Sequence, residues 1–368
     1  MNSEPTIDGV PAMLMRGGTS KGLFFLAEHL PVDPPERDEL LLAIMGSPDD
    51  RQIDGLGGAH PLTSKVAIVA PAADADTDAD LGYLFLQVSV DEARVSDRQN
   101  CGNMLAGVAP FALERGLIPT PDGESAHVAI RMLNTGGIAA ATITLAGGRV
   151  RYDGDTVISG VPGSGAPIRL DFDGIAGASC GSLLPTANTV DTIEGVDVTL
   201  IDNGMPVVVI AAAAMGIDGC ESPAELEANG GLRQKLEAIR LKAGPMMNLG
   251  DVADTTVPKL TMVSPPLAGG ALNTRTFIPH RCHDAIGVLG AVSVATAARL
   301  SGSPAAEVAN PANPANPAND GSMVVEHPTG SFEAAVTLSF RDGQPVAERS
   351  GIIRTARKLM DGVVFPRP

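Results

Sequence analysis

Apolar and polar positions alternate along SKVAIVAP (64–71), YLFLQVSV (83–90), AATITLAG (140–147), DVTLIDNG (197–204) and PVVVIAAAA (206–214). A period of two predicts strands lying in a sheet. Two segments break the rhythm, NMLAGVAPFALERGL (103–117) and AIGVLGAVSVATAARL (285–300), each apolar nearly all round and bounded by polar turns. A helix without a polar face belongs in the centre of something. SPAELEANGGLRQKLEAIRLKAG (222–244) is amphipathic and charged, and is expected as a surface helix. NPANPANPAND (310–320), rich in Pro and Asn, has no face to bury and is expected as an exposed loop.

The same order of landmarks occurs twice. MLMRGGTSKGLFFLAE (13–28) and VTLIDNGMPVVVIAAA (198–213) are each a strand, a polar turn containing Gly, and a second strand. Cys101 and its apolar helix follow the first, Cys282 and its own helix the second. A hairpin follows each helix, VAIRMLNTGGIAAATITL (128–145) and MVVEHPTGSFEAAVTLSF (323–340). The chain therefore reads as a duplicated unit, a curved sheet around one apolar helix used twice. The expected fold class is α+β, with halves at 1–185 and 186–368 and the final strand free to cross between them. The active site is expected in the cleft between halves.

Composition narrows the function. The 368 residues carry 26 Lys and Arg against 43 Asp and Glu, a formal charge of −17, which argues against a nucleic-acid partner. With no Trp, two Tyr and nine Phe there are no aromatic platforms for bases, and the 42 Gly and 29 Pro suit short strands and tight turns. MNSEPTIDGV at the start lacks a basic region followed by an apolar run, and no stretch nears the roughly 18 apolar residues of a membrane helix. A cytoplasmic protein without a membrane partner is expected. The four cysteines, Cys101, Cys180, Cys220 and Cys282, show no C-x-x-C spacing and are expected as reduced thiols.

Cys101 is open to four readings: a packed core thiol, half of a disulfide, a metal ligand, or a thiol that moves protons or attacks a substrate. It stands at the start of an apolar helix, where unpaired N–H groups present partial positive charge. Its neighbours Asn100, Gly102 and Asn103 are turn-formers with backbone donors, not packing residues, which favours function. Lys65 emerges from an apolar strand, where desolvation can depress a lysine until it acts as a base; the alternative is an edge-strand lysine that deters aggregation. Gly17, Gly18, Thr19 and Ser20, flanked by Arg16 and Lys21, form a donor-rich turn suited to a carboxylate. That turn is not a phosphate loop, because Gly follows the Lys where Ser or Thr is required. Asn203, Gly204 and Met205 occupy the matching turn of the second half, and His280, Arg281 and His283 stand near the second helix. HRCH is weak evidence for zinc without a distant fourth ligand, so no metal and no cofactor are expected.

QNCGN (99–103) opening a central helix, in a chain with a second such helix, resembles the diaminopimelate epimerase fold. RGGTSKG (16–22), LTSKVAIV (62–69), EHPTG (326–330) and IRTARKLMDG (353–362) together resemble the 2-methylaconitate cis-trans isomerase family. GSPDDRQIDGLGG (46–58), MMNLGDVADTTVPK (246–259) and FIPHRCHDAIGVLGAVSVATA (277–297) are similar to the 4-oxalomesaconate tautomerases of gallate and protocatechuate breakdown. The resemblance implies cofactor-independent proton transfer on a carboxylate-rich unsaturated acid, with Lys65 and Cys101 as the proton-handling pair and their order unassigned. It tips Lys65 toward function and adds Ser64 and Met104 to the substrate-binding candidates. The epimerases place a second thiol at the start of the second helix in an Ala-Cys-Gly-Thr-Gly-like setting; HRCHDAIG differs, so a symmetric thiol pair is not expected. Two alternatives stay open: a methylaconitate or aconitate isomerase, and a non-catalytic binder of di- or tricarboxylates. A homo-oligomer is compatible with all of these.

Overall fold

The structure is a computed structural model that describes residues 9–72, 79–97, 101–310 and 322–367. It divides into two compact units, Met1–Leu170 with Arg354–Pro368, and Asp171–Ile353.

The first unit opens with the hairpin of β1 (Val10–Gly17) and β2 (Ser20–Leu26), followed by α1 (Pro34–Met45). Asp33 caps α1 by accepting from the Glu36 N–H at 3.3 Å, and Pro34 supplies the first-turn residue that needs no N–H partner. β3 (Lys65–Pro71) runs parallel to β2, and β4 (Leu81–Val88) runs antiparallel to β3 and pairs with the short β5 (Val95–Ser96). The chain then crosses through α2 (Gly102–Leu105) and α3 (Val108–Glu114) to β6 (Ser125–Met132), parallel to β4, and returns along β7 (Ile138–Ala146) and β8 (Arg149–Val150). β9 (Ile168–Phe172) follows. Leu23, Phe25, Leu41, Ile44, Val66 and Leu86 form a core between the sheet and α1.

The second unit repeats this order. β10 (Asp191–Ile193), β11 (Val196–Asp202) and β12 (Pro206–Ala211) form an antiparallel meander. Beyond α4 (Pro223–Ala228) and α5 (Gly230–Met246), β13 (Lys259–Ser264) runs parallel to β12, with β14 (Leu272–Ile278) and β15 (Arg281–Cys282) antiparallel in turn. α6 (Val288–Ala297) and α7 (Pro304–Val308) lead to β16 (Ser322–His327), parallel to β14, then β17 (Gly330–Arg341) and β18 (Gln344–Arg354). The last strand, β19 (Ala356–Val364), pairs antiparallel with β1 in the first unit.

Two expected helices are divided in ways their apolar pattern does not show. The run at 103–117 forms α2 and α3 with a tight turn between them, where the Gly107 N–H reaches only to the Met104 carbonyl at 2.9 Å. Pro110 explains the break: in a continuous helix it would lack an N–H for the Ala106 carbonyl and its ring would strike that carbonyl, whereas in the first turn of α3 neither cost arises. The charged run at 222–244 splits at Asn229, whose side chain caps α5 on the Leu232 N–H at 3.0 Å. α5 still buries one stripe, Leu232, Leu236, Ile239 and Ala243, against the core of its unit. The second apolar helix forms as α6, buried from Gly290 to Ala297. The Asn/Pro repeat lies outside the described residues from position 311.

The loop before β14 is organised around a buried carboxylate. Glu326 accepts from the backbone N–H groups of Leu267 at 2.6 Å, Ala268 at 2.8 Å and Gly270 at 2.6 Å. Three donors converging on one side chain need a full carboxylate. Glu326→Gln places an amide N–H against them and should lower stability by about 1.5–3 kcal/mol. Urea unfolding followed by circular dichroism measures the loss; a variant as stable as the parent removes this role.

Candidate active site

The turn between β1 and β2 is held against the start of α2. Gly17 and Gly18 lie so close to Asn103 that a Cβ on either would come to 2.4 Å from the Asn103 carbonyl oxygen or 2.1 Å from its Oδ1. Gly18 also has φ +51°, a region side chains avoid. Its N–H donates to the Thr355 carbonyl at 2.9 Å, and Arg16 Nη1 donates to the carbonyls of Gly18 at 2.8 Å and Thr355 at 3.0 Å. Burial, with Arg357 nearby, pushes the Arg16 guanidinium below its usual range. Asn103 Nδ2 donates to Thr19 Oγ1 at 3.0 Å. Ser20 Oγ, in a residue only 1% exposed, and Asn103 Oδ1 are buried polar atoms without a hydrogen-bond partner among the described residues.

Cys101 caps α2, is half-buried, and has extended backbone at φ −130°. Its carbonyl accepts from the Leu105 N–H at 3.0 Å and the Tyr83 hydroxyl at 3.3 Å, and its side chain makes no capping hydrogen bond to the helix. Lys65 is the first residue of β3 and only 7% exposed. Its Nζ donates to Gln87 Oε1 at 2.6 Å and lies 4.9 Å from the centre of the Phe85 ring. Burial pulls the Lys65 ammonium below the usual lysine range, and a Cys101 thiolate acts in the opposite direction.

Ser64 turns away from that pair, its Oγ accepting from Gln52 Nε2 at 2.8 Å in a buried contact. Met104 is buried, Gly102 and Lys21 are half-buried, and Asn100 lies outside the described residues. Gln52 and Gln87 were missed from sequence. Gln87 had a signal, a lone amide interrupting YLFLQV, but Gln52 had none in a loop already rich in polar residues.

The second-unit candidates fall into different surroundings. Asn203 is 0% exposed, and its amide is committed to Thr296 Oγ1 at 2.8 Å and to Ser350 Oγ at 2.9 and 3.0 Å. The half-buried Met205 accepts from Ser293 Oγ at 2.8 Å through its carbonyl. Those bonds pin the turn to α6. His280 lies against Glu237 at 3.9 Å, and Arg281, whose side chain is 85% exposed, lies 3.5 Å from Glu227. His283 Nδ1 accepts from the Ala285 N–H at 2.9 Å, and burial with Lys259 nearby pushes its imidazole down. Arg281, Cys282 and His283 line an open cleft of about 480 Å³ together with Glu227 and Asp284.

Strand register shows what became of the site in the second copy. Gly22 pairs with Lys65, Lys65 with Gln87, and Gln87 with Ser96, five residues before Cys101. In the repeat the corresponding first pair is Val207 with Lys259, the first residue of β13; Leu260 and Phe277 face the α5 side of the sheet, as Val66 and Leu86 face the α1 side, and the cap of α6 is Gly287. A lysine, Lys259, therefore stands where the first copy has Lys65, and a Cβ on Gly287 would come within 3.9 Å of its Nζ, while glycine replaces the helix-cap cysteine. Cys282 is not at the helix start.

A model of the PrpF protein family matches residues 8–367. The chain belongs to the PrpF protein family. It is 56% identical to a (4E)-oxalomesaconate Delta-isomerase of Novosphingobium sp. (strain KA1), over 98% of both chains. It is 55% identical to a 4-oxalomesaconate tautomerase of Pseudomonas putida, over 96% of this chain and 95% of the other. Among solved structures, a methylitaconate-delta-isomerase superposes with a TM-score of 0.85 at 33% identity, over 98% and 96% of the two chains. The fold is shared with a hydroxyproline epimerase from Agrobacterium vitis, at a TM-score of 0.50 and 14% identity. Among the described residues, no helix is long and apolar enough to cross a membrane.

Burial pushes the Cys282 thiol up to about 11, and burial with Asp202 pushes Cys180 up to about 12. Both should stay protonated at neutral pH and react slowly with iodoacetamide, their rates climbing only as pH approaches those values. Mass-spectrometric mapping of alkylation between pH 7 and 10 checks this; fast labelling of Cys282 at pH 7 would contradict it.

Proposed function

We propose that this PrpF-family protein is an isomerase that moves a proton in 4-oxalomesaconate, converting it to its enol or its double-bond-shifted isomer. The observation that carries the reading is a buried amine, Lys65, and a half-buried thiol at a helix cap, Cys101, in the unit whose donor-rich turn packs on that helix start. Near-complete coverage by two relatives named for oxalomesaconate supports the substrate.

Both reactions begin with the same step. A carbon flanked by carbonyl groups gives up its proton when a base is in reach and the resulting dienolate is stabilised. Lys65 as the free amine takes the proton, the Cys101 thiol supplies one at the other end of the dienolate, and the resulting ammonium and thiolate return to amine and thiol by proton exchange with solvent. The turn at Gly17 to Ser20, with Arg16 and Lys21, supplies donors for the carboxylates against the overall charge of −17. A proton shift needs this set once. A two-base racemization needs acids on opposite faces, and the second copy of the unit keeps a lysine, Lys259, but has Gly287 where the first has its helix-cap cysteine.

Cys101→Ala and Lys65→Met should each cut turnover of 4-oxalomesaconate by about a hundredfold or more while the fold is retained. The conversion is followed by ultraviolet absorbance, because the tautomers differ in conjugation, and by proton NMR in deuterated water. Both reactions exchange hydrogen at carbon, so the product separates them: a relocated C=C bond carrying carbon-bound deuterium identifies the double-bond shift, whereas a hydroxyl-bearing enol in exchange with its ketone identifies the tautomerase. Faster turnover of aconitate or methylaconitate than of oxalomesaconate would replace the substrate; no deuterium exchange and no absorbance change with any of them would remove the enzymatic reading.

The pH dependence has a definite sign. Lys65 must be deprotonated to act, so kcat/KM should rise with pH as the amine loses its proton, with a midpoint below the ordinary lysine range because burial disfavours the charge. A profile flat from pH 6 to 10 would exclude Lys65 as the base.

A further inference from the structure

Gln87 stands directly opposite Lys65 in the antiparallel β3–β4 pair. Its amide is held at the nitrogen end: Nε2 donates to the backbone carbonyls of Ser64 at 2.9 Å, Pro61 at 3.1 Å and Val88 at 3.4 Å. Carbonyl oxygens only accept, so the amide cannot turn round, and Oε1 faces the lysine nitrogen at 2.6 Å. We infer that Gln87 is the positioning residue that aims Lys65 and sets how tightly it holds its proton, by presenting a locked, uncharged acceptor where a carboxylate of the same shape would clamp an ammonium. The inference rests on Lys65 being the base.

The geometry explains why an amide suits this place. A neutral amine has two N–H groups and one lone pair; with one N–H spent on Oε1, the lone pair must point elsewhere, since it cannot face another acceptor. Phe85 fills a second side of the nitrogen. The titratable group acting on Lys65 among the described residues is the Cys101 thiol, presented from the cap of α2. Tyr83, on β4, is fully buried and donates to the Cys101 carbonyl. β2 offers the backbone of Gly22 at the paired position. With no carboxylate in this set, Gln87 is the neighbour whose chemistry decides the balance.

The test uses the whole protein with Gln87→Glu and Gln87→Met. The reactivity of Lys65 toward trace acetic anhydride is measured against pH by peptide mass spectrometry, beside the pH profile of kcat/KM on 4-oxalomesaconate. An anionic partner favours the ammonium, so Gln87→Glu should raise the midpoint of Lys65 labelling by about one pH unit or more. Turnover at neutral pH should then fall about tenfold and recover in alkali. Gln87→Met removes an acceptor that favours the charged form and should move the labelling midpoint down, with lower kcat because the nitrogen is no longer aimed. Opposite shifts in the two variants support the inference. An unmoved labelling midpoint in either folded variant, judged by circular dichroism, overturns it. If the labelling midpoints move as expected but kcat/KM does not follow them, Gln87 keeps its role and the assignment of Lys65 as the base fails.

Discussion

A lysine nitrogen taken out of water must be hydrogen-bonded, neutral, or both, and the first unit is built around meeting that condition at Lys65. The side chain is buried at the first residue of a strand, where burial disfavours its charge. Its neighbours include an amide oxygen and an aromatic face, neither with the full negative charge that would make the ammonium permanent. The amide is fixed by carbonyls of the loop before β3, which itself is held by Gln52 through Ser64. Packing of the glycine turn on Asn103 then holds the start of α2, and with it Cys101, in place. Each contact restricts the next, so the acid–base character of the pair is a property of the assembled unit.

Duplication makes the specialisation visible. The two units share their order of strands, their parallel crossovers and their register, so corresponding positions can be compared within one chain. What differs is the chemistry at a few of them. In the second unit the hairpin turn is occupied by Asn203, whose amide is consumed by Thr296 and Ser350 in holding α6. Cys282 lies earlier, on a strand, with its thiol held protonated by burial. One copy holds a lysine, a glutamine and a helix-cap cysteine; the other keeps a lysine, Lys259, but has glycine at the helix cap, which suits a reaction that moves one proton along a conjugated acid.

Much of this was legible beforehand. Strands at 64–71, 83–90, 140–147 and 206–214 and the buried helix at 288–297 follow from apolar patterning, and the duplication follows from the order of turns and helices. Cys101 and Lys65 stood out because each is a reactive side chain where the local pattern calls for something else. The division of 103–117 into two helices was written in Pro110, but apolar patterning masks it. Ser64 and Asn203 looked like ligand contacts because polar residues beside a functional motif look alike in a sequence, whether they face a substrate or a neighbouring strand.

By itself, then, the sequence determined the alternation of strands, the two apolar helices, the repeat, and the residue types capable of proton transfer, because hydrophobic period and reactivity are local properties of the chain. Only the tertiary structure decided that Gln87 meets Lys65, that Gln52 takes Ser64, and that Cys282 misses the helix start. Those facts depend on strand register and on hydrogen bonds closed between distant segments. An amide 22 positions from a lysine becomes its partner only when two strands pair in one alignment, and a shift of one residue would turn it to the other face.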